Sequence, residues 1–269
     1  MNKNLPEYEL YAIRYATRAA KRSDNFIFGD PHDAPMDMDY FVWLAIGPER
    51  NFLIDLGFSA ETAAKRKRDF LRCPIEALRL LDVDPASIQD VIVTHLHYDH
   101  AGNFRLLPAA RFHLQEPEIH FAVGRHVRHQ HIGGGFEVED VVDVVRLNYA
   151  RRVVFHNGSA ELSPGQRCGQ ASAQQAVRLH THRGWVVLAS DACHFYENIT
   201  SGRPFPVLDS VSQSLETYDK VMAMAGDIDR IIPGHDPLVL KIYPTARQGL
   251  EGIVARLDLP PNMNALAQT

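Results

Sequence analysis

The chain has 269 residues, 45% of them hydrophobic, which is enough to form the core of one large α/β domain. Its net charge of −5 provides no basic surface that would attract nucleic acid or an anionic membrane. The three cysteines are odd in number and far apart, which excludes a disulfide framework. The N-terminus lacks a secretory signal, and no apolar run reaches the roughly 20 residues that span a bilayer. We therefore expect one domain over residues 1–269, in the cytoplasm, with no nucleic-acid or membrane partner.

The first third of the chain alternates strand and helix signals. Apolar and β-branched runs predict strands at 8–15, 40–46 and 52–54. Asp55 follows the third strand, and a lone acidic residue at the end of a strand is commonly a turn former. Ser59 can cap a helix over 60–71, and Pro74 fits the first position of a second helix.

The stretch 91–100 places four metal-ligand side chains directly after the short apolar strand Val-Ile-Val. Neither a helix nor a continued strand would bring all four together. A loop can, with His95 and His97 facing one ion and Asp99 and His100 facing a second. Imidazole and carboxylate are ligands for zinc, iron and manganese, and two ions about 3.5–4 Å apart would form a hydrolytic centre. The alternative is a loop that is merely rich in polar residues.

The second half of the chain continues with strands and helices. Further strands are predicted at 110–114, 153–155, 160–162, 176–179, 185–189 and 230–232. Helices are predicted at 116–123, 210–225 and 245–257. The turn sequences Asn157–Gly158 and Arg183–Gly184 indicate two hairpins. Between 124 and 151 the pattern loosens around three consecutive glycines, and we expect a mobile flap beside the site.

The residues 94–103, Thr-His-Leu-His-Tyr-Asp-His-Ala-Gly-Asn, resemble the signature of the metallo-β-lactamase superfamily. The residue choice around them resembles the branch that hydrolyses N-acyl homoserine lactones. The resemblance runs from about residue 8 to residue 235 and implies a four-layer αββα sandwich of two mixed β-sheets with helices outside. It further implies that Asp191 bridges two metals, that His235 is the final metal ligand, and that Asp55 supports the metal loop from behind.

One position departs from the pattern of this superfamily. Gln170 stands where the resemblance implies a third histidine for the first metal site, and a glutamine oxygen is a weak ligand for zinc. We therefore expect the second site to fill first, unless another side chain supplies the missing ligand. The candidates for that replacement are His194, Cys168 and Cys193.

The sequence thus leads to the hypothesis of a two-metal hydrolase that opens a small lactone or a related ester, as a quorum-quenching enzyme does. A hydroxide that bridges two ions, zinc or else manganese or iron, would attack the carbonyl carbon. Asp99 would take the proton and pass it to the leaving alkoxide, while His194 or Tyr196 would donate a hydrogen bond to the oxyanion. The alternatives are a thioesterase of the glyoxalase II kind, an iron persulfide dioxygenase, or a non-catalytic descendant that binds a metal or ligand. The protein could be a monomer or a homodimer.

Overall fold

The computed structural model describes residues 5–171, 174–208, 210–262 and 264. Its strands are β1 (Glu9–Arg18), β2 (Met38–Ile46), β3 (Asn51–Ile54), β4 (Asp69–Phe70), β5 (Asp90–Ile92), β6 (Arg111–Gln115), β7 (Val153–His156), β8 (Ala160–Ser163), β9 (Gln166–Ala171), β10 (Gln174–Thr181), β11 (Gly184–Ser190), β12 (Ile231–Pro233) and β13 (Val254–Arg256). Its α-helices are α1 (Arg22–Asn25), α2 (Ala60–Arg66), α3 (Glu116–Ala122), α4 (Gln130–Gly133), α5 (Val138–Tyr149), α6 (Tyr196–Ser201), α7 (Val211–Ala225) and α8 (Leu238–Ile242). Short 3₁₀ turns are formed by Glu76–Leu81, Pro85–Ser87, Phe104–Leu106, Arg125–Arg128 and Ile228–Arg230.

The strands form two mixed sheets. The first has the order β13-β1-β2-β3-β5-β6-β7, with β4 paired to β1, and the second has the order β12-β11-β10-β9-β8. The pairs β3–β5, β5–β6 and β6–β7 of the first sheet are parallel, and so is the pair β11–β12 of the second. The remaining pairs are antiparallel.

The two sheets pack face to face, and helices cover their outer faces. Strand β2 shows why, because successive side chains of a strand point to opposite faces. One set packs between the sheets, with partners from β10 and β11: Phe41, Trp43 and Ala45. The other set packs under α2, α3 and α5: Tyr40, Val42 and Leu44. Helix α7 covers the second sheet through Tyr218 and Val221. The predicted αββα sandwich is confirmed.

The helix predicted from Ser59 is present but shorter than expected. The Ser59 hydroxyl accepts a hydrogen bond from the Thr62 amide at 3.2 Å, as a helix N-cap does. The helix ends at Lys67, which adopts a left-handed conformation, and residues 69–70 pair with β1 instead. The expected continuation to residue 71 was therefore wrong.

The segment 124–151 is mostly helical rather than loop-like. Helix α5 buries one face in the outer core, through Val141, Val144 and Leu147. Regular structure is missing only at 123–124, at 129, at 134–137 and at the last two residues. The glycines that weaken the sequence pattern thus lie at the end of α4 and in the link to α5. Movement of this segment over the site stays a prediction.

Two expectations from the sequence were wrong, one a hairpin and the other a helix. Strands β7 and β8 do not form a hairpin, because the chain crosses from the first sheet to the second at Asn157–Gly158. The C-terminal segment 245–257 is not a helix but contains β13, which pairs with β1. By contrast, the hairpin around Arg183–Gly184 is confirmed as β10 and β11. No helix of the described ranges is long and apolar enough to cross a membrane.

Candidate metal centre

The candidate site lies where residues that follow four strands come together. Asp55 follows β3, and the loop 94–100 follows the neighbouring parallel strand β5. In the second sheet, Asp191 follows β11, and His235 lies two residues beyond the neighbouring parallel strand β12. Because the carboxyl ends of parallel neighbours lie side by side, each sheet brings two polar segments to the same edge of the sandwich.

Asp191 lies at the centre of the cluster, with histidines around both of its oxygens. Its Oδ1 atom lies 2.8 Å from His235 Nε2 and 3.1 Å from His100 Nε2. Its Oδ2 atom lies 3.4 Å from His95 Nε2 and 3.3 Å from His194 Nε2. One carboxylate therefore joins two groups of imidazoles, which is the arrangement of a ligand that bridges two ions.

All six residues predicted as metal ligands lie in this cluster. Two groups have ligand atoms within 4.8 Å of one another: His95, His97 and Asp191 in one, and Asp99, His100 and His235 in the other. A third group of the same kind includes a residue that we predicted as a hydrogen-bond donor: Asp191, His194 and His235.

The donor atoms of this cluster fit divalent cations. His95 Nε2 and His100 Nε2 are buried and, apart from their contacts with the Asp191 carboxylate at 3.4 and 3.1 Å, have no hydrogen-bond partner among the residues that the structure describes. A buried polar atom without a partner is destabilising, so such atoms usually contact water or an ion. Imidazole nitrogens and carboxylate oxygens in two adjacent groups match the ligand preferences of zinc, manganese and iron.

Asp55 supports the metal loop in the way that the resemblance implies. Its Oδ2 atom accepts hydrogen bonds from His100 Nδ1 and from the Thr94 hydroxyl, both at 2.8 Å. Its Oδ1 atom accepts from the Thr94 amide at 2.7 Å. Because Nδ1 of His100 faces this carboxylate, its Nε2 atom is left to face the centre. His235 is oriented similarly, since its Nδ1 atom donates to the Asp39 carbonyl at 2.9 Å.

Burial and charge set the ionisation of the ligands. Burial, followed by the neighbouring His95, lowers the pKa of His97 to about 3, so its imidazole is neutral. Burial alone would raise the pKa of Asp191, but the facing imidazoles of His194 and His100 outweigh it and hold that pKa well below the ordinary value. A neutral imidazole and an ionised carboxylate are the forms that bind metals.

A cavity of about 210 Å³ opens onto this cluster. Its polar end is formed by His95, His97, Asp191 and His194. One part of its wall is apolar and comes from α3, α4, the link after α4 and the segment before α7: Phe121, Ile132, Phe136, Phe205, Val207 and Leu208. Another part, at the start of α7, is polar: Ser210, Gln213, Ser214 and Thr217. A small molecule with an apolar arm and a polar reacting group would fit this cavity, with the arm against the apolar wall and the reacting group at the polar end.

Three predicted residues are not brought to the cavity. Tyr196 is buried between the sheets, and it does not line the cavity. Cys168 is also buried in that core, and the Cys193 thiol donates to the Phe195 carbonyl at 3.0 Å. The side chain of Gln170 lies outside the described residues.

Glu118 is a site residue that the sequence did not reveal. It is 3% exposed, lines the cavity, and accepts a hydrogen bond from the Leu96 amide at 2.9 Å, between His95 and His97. Burial raises the pKa of its carboxyl group. The sequence of α3 did not indicate this contact, because Leu96 lies 22 residues before Glu118.

Arg66 is a second residue that the sequence did not reveal, since its basic run suggested only a solvated helix face. The Arg66 guanidinium donates to the carbonyls of Gly134 and Phe136, at 2.8 and 3.1 Å, and to Glu137 at 2.7 Å. It also lies 3.8 Å from the centre of the Tyr98 ring. Arg66 thereby holds the link between α4 and α5 against the metal loop.

Gly135, in that same link, packs directly on a predicted ligand. Its carbonyl accepts a hydrogen bond from the Tyr98 amide at 2.9 Å. A Cβ atom at Gly135 would lie 2.7 Å from His97 Nε2, which is closer than real contacts allow. A side chain at this position would therefore displace the His97 imidazole, and glycine lets the backbone approach it closely.

An αββα sandwich with a histidine- and aspartate-lined centre at its edge is the architecture of the metallo-β-lactamase fold. Residues 38–235 match the family model of the Metallo-beta-lactamase superfamily, and the chain belongs to this family. The confirmed resemblance therefore extends from the short motif to most of the chain.

Similar proteins are named as lactonases. The chain is 32% identical over 136 residues to N-acyl homoserine lactonase AiiB from Rhizobium rhizogenes (strain K84 / ATCC BAA-868), covering 46% of this chain and 47% of that enzyme. The match thus spans about half the length of this curated relative. The crystal structure of a quorum-quenching N-acyl homoserine lactone lactonase superposes with a TM-score of 0.71 at 20% identity, covering 88% of this chain and 94% of that one. An N-acyl homoserine lactone hydrolase with the product N-hexanoyl-L-homoserine at its catalytic metal centre superposes with a TM-score of 0.70 at 17% identity, covering 86% and 94%. At these identities the superpositions show the fold alone.

Proposed function

We propose that the protein hydrolyses the ring ester of a small lactone of the N-acyl homoserine lactone type. The observation that carries this proposal is a cavity in which an apolar stretch of wall adjoins the histidine and aspartate cluster. An acyl chain would lie against Phe121, Ile132 and Phe136, and the ester would face Asp191. The relatives named as lactonases support the same substrate class.

Two divalent cations would be held by the six predicted ligands, with Asp191 between them. When bound, such ions supply an activated water at neutral pH and polarise the carbonyl oxygen of the substrate. The donor set is suited to zinc, and manganese or iron would accept the same ligands.

Asp99 is the residue that would move the proton. Burial would raise the pKa of Asp99, but the facing imidazole of His100 outweighs it and holds the pKa below the ordinary value. Its carboxylate is therefore ionised and can accept a proton, which it would return to the leaving alkoxide. The Tyr15 hydroxyl donates to the Asp99 carbonyl at 2.9 Å and fixes the backbone that carries this group.

Exclusion of water and orientation of the substrate would come from the segments above the cluster. Phe136 packs on His97 with ring centres 5.0 Å apart, and Phe205 packs on His194 with ring centres 3.8 Å apart. The two phenyl rings therefore border the reacting end of the cavity. An apolar border strengthens electrostatic interactions at that end, because it keeps bulk water away.

The experiment is a ring-opening assay on purified protein reconstituted with zinc or manganese. Proton release is followed for N-acyl homoserine lactones of several chain lengths and, in parallel, for thioesters of matched acyl groups. We expect lactone turnover that is lost on chelation and restored by metal. Turnover of the thioesters alone would replace the lactone proposal with a thioesterase, and metal-bound protein inactive on the whole panel would favour the non-catalytic alternative.

A further inference from the structure

We infer that His194 is a metal ligand, which adds an imidazole to the cluster in a chain that lacks the histidine expected at Gln170. This inference rests on the two-metal form of the proposed function. It differs from the role predicted from the sequence, in which His194 donates a hydrogen bond to the substrate.

The first argument is the side of Asp191 on which His194 lies. The oxygens of Asp191 face different histidines, and His194 Nε2 shares Oδ2 with His95 Nε2, at 3.3 and 3.4 Å. His95 belongs to the first group of predicted ligands, which is the group that lacks a histidine at position 170. His194 therefore contacts the same oxygen of Asp191 as His95 does, and it forms a further group of potential ligands with Asp191 and His235.

The second argument is the separation of the atoms. A zinc–nitrogen or zinc–oxygen bond is about 2.0 Å, so two ligand atoms of one tetrahedral ion lie about 3.3 Å apart. The separation of 3.3 Å between His194 Nε2 and Asp191 Oδ2 matches that spacing. The same nitrogen also lies within 4.8 Å of the ligand atom of His235.

The third argument is that the backbone and two neighbouring rings fix His194 in this position. The His235 amide donates to the His194 carbonyl at 3.0 Å, and the Gly234 amide donates to the Cys193 carbonyl at 2.8 Å. These bonds tie the turn after β11 to the segment after β12. The imidazole stacks on Phe205 at an interplanar angle of 8° and on His235 at 29°. A buried ring held on two sides loses little entropy when it binds a cation.

The other candidates for the missing ligand do not share these properties. Cys168 is enclosed in the core between the sheets, and the Cys193 thiol faces a backbone carbonyl. Neither sulfur belongs to a group of potential ligands in the described part of the chain. Among the three residues proposed from the sequence, the structure therefore selects His194.

The test is a zinc titration of metal-free protein by calorimetry, with Co²⁺ absorption spectra as a second readout, on the parent and His194→Ala. His131→Ala is the matched control, because His131 lines the same cavity but is exposed and lies outside the ligand groups of the described residues. Both readouts measure metal binding without substrate, so a failure of the lactone proposal leaves their outcome unaffected.

We expect the parent and His131→Ala to bind two ions, and His194→Ala to lose at least about tenfold in affinity for one of them, with an altered Co²⁺ spectrum. Thermal unfolding of the metal-free forms checks that the variants fold, and His194→Gln, of similar reach, replaces the alanine variant if it does not. Two ions bound by His194→Ala with parental affinities and an unchanged spectrum would overturn the inference. A parent that binds a single ion, equally well with and without His194, would overturn it too.

Discussion

At the scale of single residues, the ligand histidines could be predicted because most of them are neighbours in sequence. The stretch 94–100 carries four ligands, and the three-dimensional structure only had to add Asp191 and His235. Glu118 and Arg66 could not be predicted, because their partners are 22 and about 70 residues away. A contact over such a distance leaves no periodic sign in the sequence.

Asp55 gives the first prediction at this scale. In Asp55→Asn the carboxylate that accepts from His100 Nδ1 becomes an amide, so the imidazole loses the partner that orients it. We expect about a 10–100-fold loss of affinity for one metal ion, measured by titration of the metal-free protein.

The control is Asp236→Asn. Asp236 is equally buried and adjacent to His235, but its carboxylate accepts hydrogen bonds from the backbone amides of Tyr196 and Leu238. This variant should change stability and leave both metal affinities close to those of the parent. Equal affinities in Asp55→Asn and the parent would show that Asp55 only terminates a strand.

At the scale of elements, the sequence predicted the strands that have a clear alternation or an apolar run. It predicted less well which strands pair with one another. Asn157–Gly158 favours a tight hairpin locally, yet β7 extends the parallel row of the first sheet and β8 begins the second. Likewise β13 is only three residues long, and its pairing with β1 depends on a partner more than 240 residues earlier. Tertiary pairing decides such short segments.

The Arg66 contacts lead to a prediction for the α4–α5 link. Lysine in Arg66→Lys keeps a charge near Glu137 but cannot donate to the carbonyls of Gly134 and Phe136 from one planar group. Phe136, which lines the cavity, should then be held less firmly in place. We therefore expect KM for the lactone to rise several-fold, with metal content unchanged.

Steady-state kinetics and elemental analysis check this expectation, with Lys67→Gln as the control. Lys67 is exposed and belongs to the same basic run as Arg66. Its replacement by glutamine therefore removes one positive charge from that run. An unchanged KM in Arg66→Lys, or a parallel loss of metal, would show that the link does not act on substrate binding.

Helix α5 gives a pH-dependent prediction through Asp140. Burial, with the nearby carboxylates of Glu137 and Asp143, raises the pKa of Asp140 to about 7. An unfolded aspartate has a pKa of about 3.9, so the native state binds more protons between these values and stability falls as pH rises through them. In Asp140→Asn this loss is absent, and its melting temperature should rise above that of the parent at pH 8 more than at pH 5.

Asp143→Asn is the control for this measurement. Burial opposes ionisation of Asp143, but hydrogen bonds from Arg105 and Arg146 outweigh it and lower its pKa. A group with a lowered pKa stabilises the native state above its unfolded pKa, so this variant should be destabilised at pH 8 and less so in acid. If the melting temperatures of Asp140→Asn and the parent differ by the same amount at both pH values, the pKa of Asp140 is not raised in the native state and the prediction is wrong.

At the scale of the whole molecule, two stacked sheets serve to hold one cluster of side chains at their common edge. Each sheet contributes a pair of parallel strands whose ends carry ligands or, for β3, the Asp55 carboxylate that orients one of them. Asp191 joins the two contributions. The sequence motif predicted the first contribution well. The second depends on packing between sheets, which is why Asp191 and His235 were reached only through the resemblance to a superfamily.

The central claim is that this cluster binds two divalent cations on which hydrolysis depends. The most direct measurement is elemental analysis of the parent and His235→Ala, both purified without chelator, combined with the lactone assay. We predict two ions per parent chain, fewer in His235→Ala, and no hydrolysis by the variant, because His235 belongs to a ligand group and faces Asp191 at 2.8 Å. Full activity of His235→Ala with the metal content of the parent would contradict the two-metal account.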